Sequence, residues 1–172
     1  MCAPFVNLTA PRFVDNGDGT VTDTLTRLIW EKKQNLDSTV NLADPHDADN
    51  SYSWSTGAPY KPTGTAYTDF LYALNGGTSL DGVATTGCFT GHCDWRLPTI
   101  EELQTILLAP YPCGTSPCID PIFGPTQADF YWSATTRAST PNDAWDMFFL
   151  DGTVGSGNKT FDSYVRAVRG GL

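Results

Sequence analysis

The chain has 172 residues and a formal net charge of −9, with 10 basic and 19 acidic residues. Its many Asp, 16 Gly and 12 Pro favour turns and exclude an all-helical protein, while a hydrophobic content of 40% excludes a largely disordered one. The few scattered basic residues argue against nucleic acid as a partner. No apolar run reaches the roughly 20 residues of a membrane span.

The N-terminal part predicts an arm followed by a β-meander. Prolines bound residues 1–11, which we expect to be extended, and a single domain is expected over 12–172. Asn-Gly and Asp-Gly stand in tandem at 16–19, the pattern of a tight turn between antiparallel strands. Strands are predicted around and after this turn, at 12–15, 20–23 and 28–32.

The middle of the chain predicts two helices separated by loops. Residues 35–64 have no clear period and are predicted to form a long loop with one short strand. Residues 66–75 place apolar side chains on one helical face. Thr99 and Glu102 form a capping-box pattern, which predicts a helix running to about Leu108.

The C-terminal part predicts further strands, at 130–133, 144–150 and 164–169, with a Gly-, Asn- and Lys-rich loop over 155–163. The sum is an α+β domain with two helices and six or seven mostly antiparallel strands.

Four of the five cysteines flank short loops: Cys88 pairs in sequence with Cys93, and Cys113 with Cys118. This spacing predicts two local disulfides and an oxidising compartment. A zinc site and free thiols are the alternatives, although zinc ligands usually lie two to four residues apart. Cys2, the fifth cysteine, has two alternative roles: it forms a disulfide with another chain, or it carries a lipid.

Two acidic segments raise the question of a metal. Asp15, Asp18 and Asp23 are spaced closely enough to supply oxygen ligands to Ca²⁺, and a hairpin turn with positive φ is the alternative. Residues 44–50 contain His46 among several carboxylates. We interpret them as a solvated loop, with a divalent-ion site as the alternative. Calcium is therefore an open cofactor, and no other cofactor is expected.

Three segments carry a family resemblance. They begin with RFVDNGDGTVTDT at residue 12, DWRLPT at residue 94 and YWSAT at residue 131, the last followed by YVRAVRG at residue 164. In this order they resemble the signatures of the DUF1566 family, also called the Lcl C-terminal domain family. The resemblance covers roughly residues 12–171.

The resemblance implies a C-type-lectin-like fold, with a mostly antiparallel sheet, two helices and long loops. The family is bacterial, mostly exported, and often a module of larger surface proteins, among them an adhesin that binds glycosaminoglycans. It has no family-wide catalytic residues to carry over, so we expect no enzyme activity. The resemblance thus implies an extracellular or cell-surface recognition or adhesion module that binds a glycan or a protein. The alternative is a structural subunit of a fibre or appendage that assembles through the N-terminal arm.

The resemblance also implies where a ligand would bind. In retroelement-diversified relatives the variable positions lie near the C-terminal segment. The analogous positions here are Thr136, Arg137, Asn142, Asp143, Trp145, Asp146, Phe148, Lys159 and Asp162.

Overall fold

The computed structural model describes residues 10–85 and 87–170, and over these residues it is mixed α+β, as predicted. Its strands are β1 (Phe13–Asp15), β2 (Thr20–Asp23), β3 (Leu28–Glu31), β4 (Ser51–Ser53), β5 (Phe130–Thr136), β6 (Asp143–Phe148), β7 (Thr153–Asn158), β8 (Asp162–Tyr164) and β9 (Val168–Gly170). Its α-helices are α1 (Tyr72–Leu74), which continues a π-helical segment at Ala66–Leu71, and α2 (Ile100–Thr105). Short 3₁₀ turns lie at Phe89–Gly91 and Pro121–Phe123. Apart from Ala10 and Pro11, the arm expected over 1–11 lies outside the described residues.

The strands form two sheets. The first has the order β1-β2-β3-β9 and is antiparallel throughout, which confirms the predicted β-meander. The second has the order β4-β8-β5-β6-β7, and its pairs are antiparallel except β5 with β8. Strands β1 and β7 therefore each lie at the edge of a sheet.

Two hydrophobic cores lie on opposite faces of β5 and β6. Because successive side chains of a strand point to opposite faces, Tyr131 and Met147 enter one core while Trp132 and Ala144 enter the other. The first core also holds side chains of α2 and of the first sheet, such as Trp30. Strands β5 and β6 thus lie at the centre of the molecule.

Helix α2 begins as predicted. The Thr99 hydroxyl accepts the Glu102 N–H at 3.2 Å, and the Glu102 carboxylate accepts the Thr99 N–H at 2.8 Å. The helix ends at Thr105 rather than near Leu108, because Leu107 leaves it to form a bridge with Ile119.

The single strand predicted over 164–169 is wrong. The chain forms β8, crosses between the sheets at residues 165–167, and then forms β9. Arg166 is fully buried at the crossing and donates to the carbonyls of Glu31 and Phe123 at 2.8 Å. These hydrogen bonds fix residues 165–167 against Glu31 of β3 and against Phe123, so the segment does not continue as one strand of a single sheet.

The loop predicted over 155–163 is also wrong, because its first part belongs to strand β7 and its last two residues belong to β8. A Cβ at Gly155 would lie 2.5 Å from Asp146 Oδ1, and one at Gly157 would lie 3.0 Å from the Trp132 ring. The glycines that suggested a loop are therefore needed because β7 packs closely beside larger side chains.

Both predicted disulfides are present. Cys88 is bonded to Cys93 and Cys113 to Cys118, with Cα–Cα distances of 5.1 and 5.6 Å. The four sulfur atoms are thus used in two separate local bonds.

Candidate functional site

The structure places the nine predicted ligand residues in several parts of the molecule, and those of β6 point to both faces of the sheet. Trp145 lies opposite Ser156 on one face, whereas Asp146 lies opposite Trp132 and Gly155 on the other. Strand alternation causes this division, since Trp145 and Asp146 are neighbours in β6. The nine residues therefore do not form one ligand-binding surface.

The first face carries a cluster that we call the Arg137 patch, made of Arg137, Asp143, Trp145 and Ser156. The guanidinium carbon of Arg137 lies 5.6 Å from the centre of the Trp145 ring, within the range of a cation–π contact. Arg137 Nη1 donates to Ser156 Oγ at 3.1 Å and lies 3.8 Å from Asp143 Oδ2. The Arg137 side chain is 39% exposed, so a cation, an aromatic ring, a carboxylate and a hydroxyl meet at the surface.

Lys159 is buried beneath this region rather than presented to a ligand. Its residue exposure is 2%, and its ammonium donates to Thr136 Oγ1 at 2.8 Å and to the carbonyls of Pro141 and Tyr60 at 2.9 and 3.2 Å. The ammonium also lies 4.0 Å from the centre of the Trp54 ring. Burial lowers the pKa of Lys159. Its donors are thus used to fix the chain around residues 136–142.

The remaining predicted residues lie around these two faces. Asn142 accepts the Lys159 backbone N–H at 2.9 Å, which places it in the β5–β6 turn beside the Arg137 patch. Asp162 lies in β8 opposite Ser53, away from that turn, and is exposed. Ser156 was not predicted, because the Gly, Asn and Lys content of residues 155–163 indicated a loop.

Asp146 has an unusual environment on the second face. It is 3% exposed, and its Oδ1 has no hydrogen-bond partner among the described residues. Burial raises the pKa of Asp146 to about 6. Phe148 lies on the same face, two residues further along β6, and stacks on Phe130 with 4.3 Å between ring centres.

The three predicted calcium ligands each have a separate partner. Asp15 pairs with Lys32, Asp23 pairs with Arg12, and Asp18 accepts the N–H and the hydroxyl of one Thr20. Over residues 10–85 and 87–170, no group of three or more His, Cys, Asp or Glu side chains is arranged to hold a metal. The positive φ of Gly17 and Gly19 agrees with the hairpin interpretation of this segment.

The second acidic segment, 44–50, is packed rather than solvated, which corrects our interpretation. Asp49 is 8% exposed, and its Oδ2 accepts the backbone N–H groups of residues 37–39. His46 Nδ1 lies 2.9 Å from Oε1 of the buried Glu31, which also pairs with the buried Lys33 at 2.9 Å. Burial acts to raise the pKa of Glu31, but the charge of Lys33 and the hydrogen bond from His46 hold it well below its usual value. Asp49 and Glu31 thus stabilise the loop of residues 37–50 through their bonds to residues 37–39 and to His46.

The fold and the Arg137 patch define a mixed α+β domain with a polar and aromatic surface at one end of its second sheet. The model of the Lcl C-terminal domain family matches residues 19–169, and the chain belongs to this family. Comparison of this chain with the curated proteins found no match, and comparison with the solved structures found none either. In the described part of the chain, no helix combines the length and the apolar character needed to cross a membrane.

Proposed function

We propose that this chain is an exported recognition module with a C-type-lectin-like fold, which binds a glycan or a protein ligand at a cell surface without catalysing a reaction. The observation that carries the proposal is the Arg137 patch, where a partly exposed Trp145 ring meets a guanidinium, a carboxylate and a hydroxyl. Export is supported by the two disulfides and by membership of a family whose members are mostly exported.

The chemistry of the patch suits recognition. The Trp145 ring supplies apolar area that can stack on the C–H face of a sugar or on a side chain, and aromatic and Arg residues dominate binding energy at many interfaces. The Arg137 guanidinium can donate hydrogen bonds to planar groups such as carboxylates, and the Asp143 carboxylate can accept hydrogen bonds from hydroxyl groups.

The support beneath the patch favours a rigid site. Lys159 ties Thr136, Pro141 and Tyr60 together from below. A loop held in one conformation loses less entropy when a ligand binds, which favours affinity.

The proposal is tested on a glycan array and on an array of purified extracellular-matrix proteins. Arg137→Gln and Trp145→Ala should each weaken a saturable signal at least about tenfold, the loss expected at an interface hot spot. Arg27→Gln, which makes the same change at an exposed arginine in the turn between β2 and β3, is the matched control and should bind like the wild type. Folded patch variants that bind as tightly as the wild type would contradict the proposal.

A second candidate is a structural subunit of a surface fibre or appendage. It is favoured by the position of β1, an edge strand that begins directly after the N-terminal arm. Edge strands present unpaired backbone groups to which another chain can add. Light scattering on the full chain and on a chain lacking residues 1–11 tests it, because a fibre subunit should assemble only with the arm present.

A further inference from the structure

Strand β7 forms an unprotected edge of the second sheet. It pairs with β6 over six consecutive residues without a register shift, and it contains no charged residue and no proline. The other edge strands, β1, β4 and β9, have three residues each. Charges, prolines, bulges and short length are the features that keep edge strands from pairing with other chains. Strand β7 lacks all of them, so its open side is suited to a further strand.

The backbone groups that face the open side of β7 are those of Val154 and Ser156. The Lys159 N–H donates to the Asn142 carbonyl at 2.9 Å, which makes these two residues a hydrogen-bonded pair at the end of the β6–β7 ladder. Such pairs recur at every second residue of an antiparallel ladder, so Gly155 also bonds to β6 and the residues on either side of it point away. In the described part of the chain, no hydrogen bond from outside the ladder reaches the backbone of Val154 or Ser156.

The side chains of β7 leave room for a close neighbour. All six residues of the strand are partly exposed, and two of the three that share a face with Asp146 are glycines. The Phe130 ring reaches across this face to Gly155, where a Cβ would lie 3.4 Å from the ring, and Phe130 is 40% exposed. An apolar ring therefore lies beside the open edge, next to backbone that carries no side chain.

We propose that β7 pairs with β7 of a second copy of this chain, in antiparallel orientation, around a twofold axis at Gly155. Val154 then lies opposite Ser156 of the partner subunit, and each such pair exchanges two backbone hydrogen bonds. The pairing joins the five-stranded sheets of two copies into one continuous sheet. The edge of the sheet is thereby covered in both copies.

A second copy fits this edge because the strand is complementary to itself. Val154 and Ser156 lie symmetrically about Gly155, so a twofold axis there gives each free donor a free acceptor. On the face that carries the glycines, Thr153 lies opposite Gly157 of the partner subunit, so no two large side chains meet. Each copy has a net charge of −9, and two such chains associate more readily through a strand that carries no charge.

Sedimentation velocity on the full chain tests the proposal between about 1 μM and about 1 mM protein, where weak and moderate affinities are measured. All proteins carry Cys2→Ser, so that a disulfide between copies cannot supply the dimer. We expect the mass to rise with concentration from 18.7 kDa to twice that value. Ser156→Pro removes an outward N–H at a position where an edge strand tolerates proline, and it should weaken the dimer at least about tenfold. Ser156→Ala, the matched control, keeps the N–H and should dimerise like the wild type.

Hydrogen exchange, read residue by residue by NMR, gives a second measurement that needs no substitution in β7. The amides of Val154 and Ser156 should exchange at least about tenfold more slowly at a concentration where the dimer forms than at one where it does not. The Gly155 amide bonds to β6 in both states, so it should be protected at both concentrations and serves as the internal control.

Three outcomes would overturn the proposal. The first is a monomer across the whole concentration range, which would leave the edge to a strand of another protein. The second is a folded Ser156→Pro variant that associates as tightly as Ser156→Ala. The third is a dimer in which the Val154 and Ser156 amides stay unprotected, which would place the contact elsewhere.

A second pair of variants keeps the test decisive if Ser156→Pro does not fold. Phe130→Asp places a like charge on both sides of the axis and should weaken the dimer at least about tenfold. Leu25→Asp makes the same kind of change in the exposed turn after β2 and should dimerise like the wild type. Equal association of these two variants would contradict a contact at β7.

Discussion

Replacing Asp146 by Asn should make the protein more stable at neutral pH. The folded state favours the protonated acid, because burial raises its pKa from 3.8 to about 6. A group whose folded pKa is raised in this way stabilises the fold when protonated. Its contribution is lost as the pH rises from about 4 to about 6, and the wild type then carries a buried charge that the Asn variant lacks.

The size of the effect follows from the shift. Each pKa unit corresponds to about 1.4 kcal/mol, which gives a ceiling of about 3 kcal/mol. Since Asp146 lies only one strand from the open edge of the sheet, solvent screening reduces this to about 1–2 kcal/mol. For a domain of this length, that is a rise in Tm of about 2–8 °C.

Urea unfolding of both proteins between pH 4 and pH 8 measures the difference. The free energies of unfolding should agree near pH 4 and diverge up to about pH 6, with the Asn variant above the wild type. A difference that is constant across this range, or a less stable variant at pH 8, would refute the reasoning.

Three further substitutions test the packing that supports the site. Glu31→Gln leaves the buried Lys33 without its carboxylate and should cost about 3–5 kcal/mol in urea unfolding, whereas a loss below 1 kcal/mol would contradict a buried pair. Thr99→Ala removes the cap of α2 and should lower the free energy of unfolding by about 1 kcal/mol, with an unchanged value arguing against the capping box. Gly155→Ala brings a Cβ against Asp146 and should cost about 1–3 kcal/mol by thermal unfolding. The same change in an Asp146→Ala background should cost clearly less, and equal costs would show that the contact is not the cause.

The sequence predicted those parts of the fold that depend on neighbouring residues. The hairpin at 16–19 and the cap at Thr99 rest on residues within four positions of each other, so short-range rules were sufficient. Both disulfides close loops of the same short kind.

The errors occurred where distant residues decide the structure. Gly155 and Gly157 favour a loop by composition, yet the bulk of Asp146 and Trp132 makes them the residues that fit in β7. Arg166 divides a strand-like segment because its partners come from residues 31 and 123, which no local pattern reveals.

The sequence named Arg137, Asp143 and Trp145 of the Arg137 patch but neither Ser156 nor the arrangement of these residues. Asp143, Trp145 and Asp146 were chosen from one segment by resemblance, and the predicted strand over 144–150 already implied that Trp145 and Asp146 point to opposite faces. The burial of Lys159 was not predictable, since it depends on acceptors from the distant Tyr60 and Pro141.

The crossing at residues 165–167 has a consequence for how the domain forms. Arg166 and Ala167 bind Glu31 across 135 and 136 positions of sequence, and the same short stretch leads from β8, between β4 and β5, to β9 beside β3. During synthesis, neither sheet has all its strands until this late segment has left the ribosome. Contacts between such distant residues slow folding. We therefore expect the domain to fold as one unit after most of it has been made, and a fragment ending before residue 162 to lack a strand of each sheet.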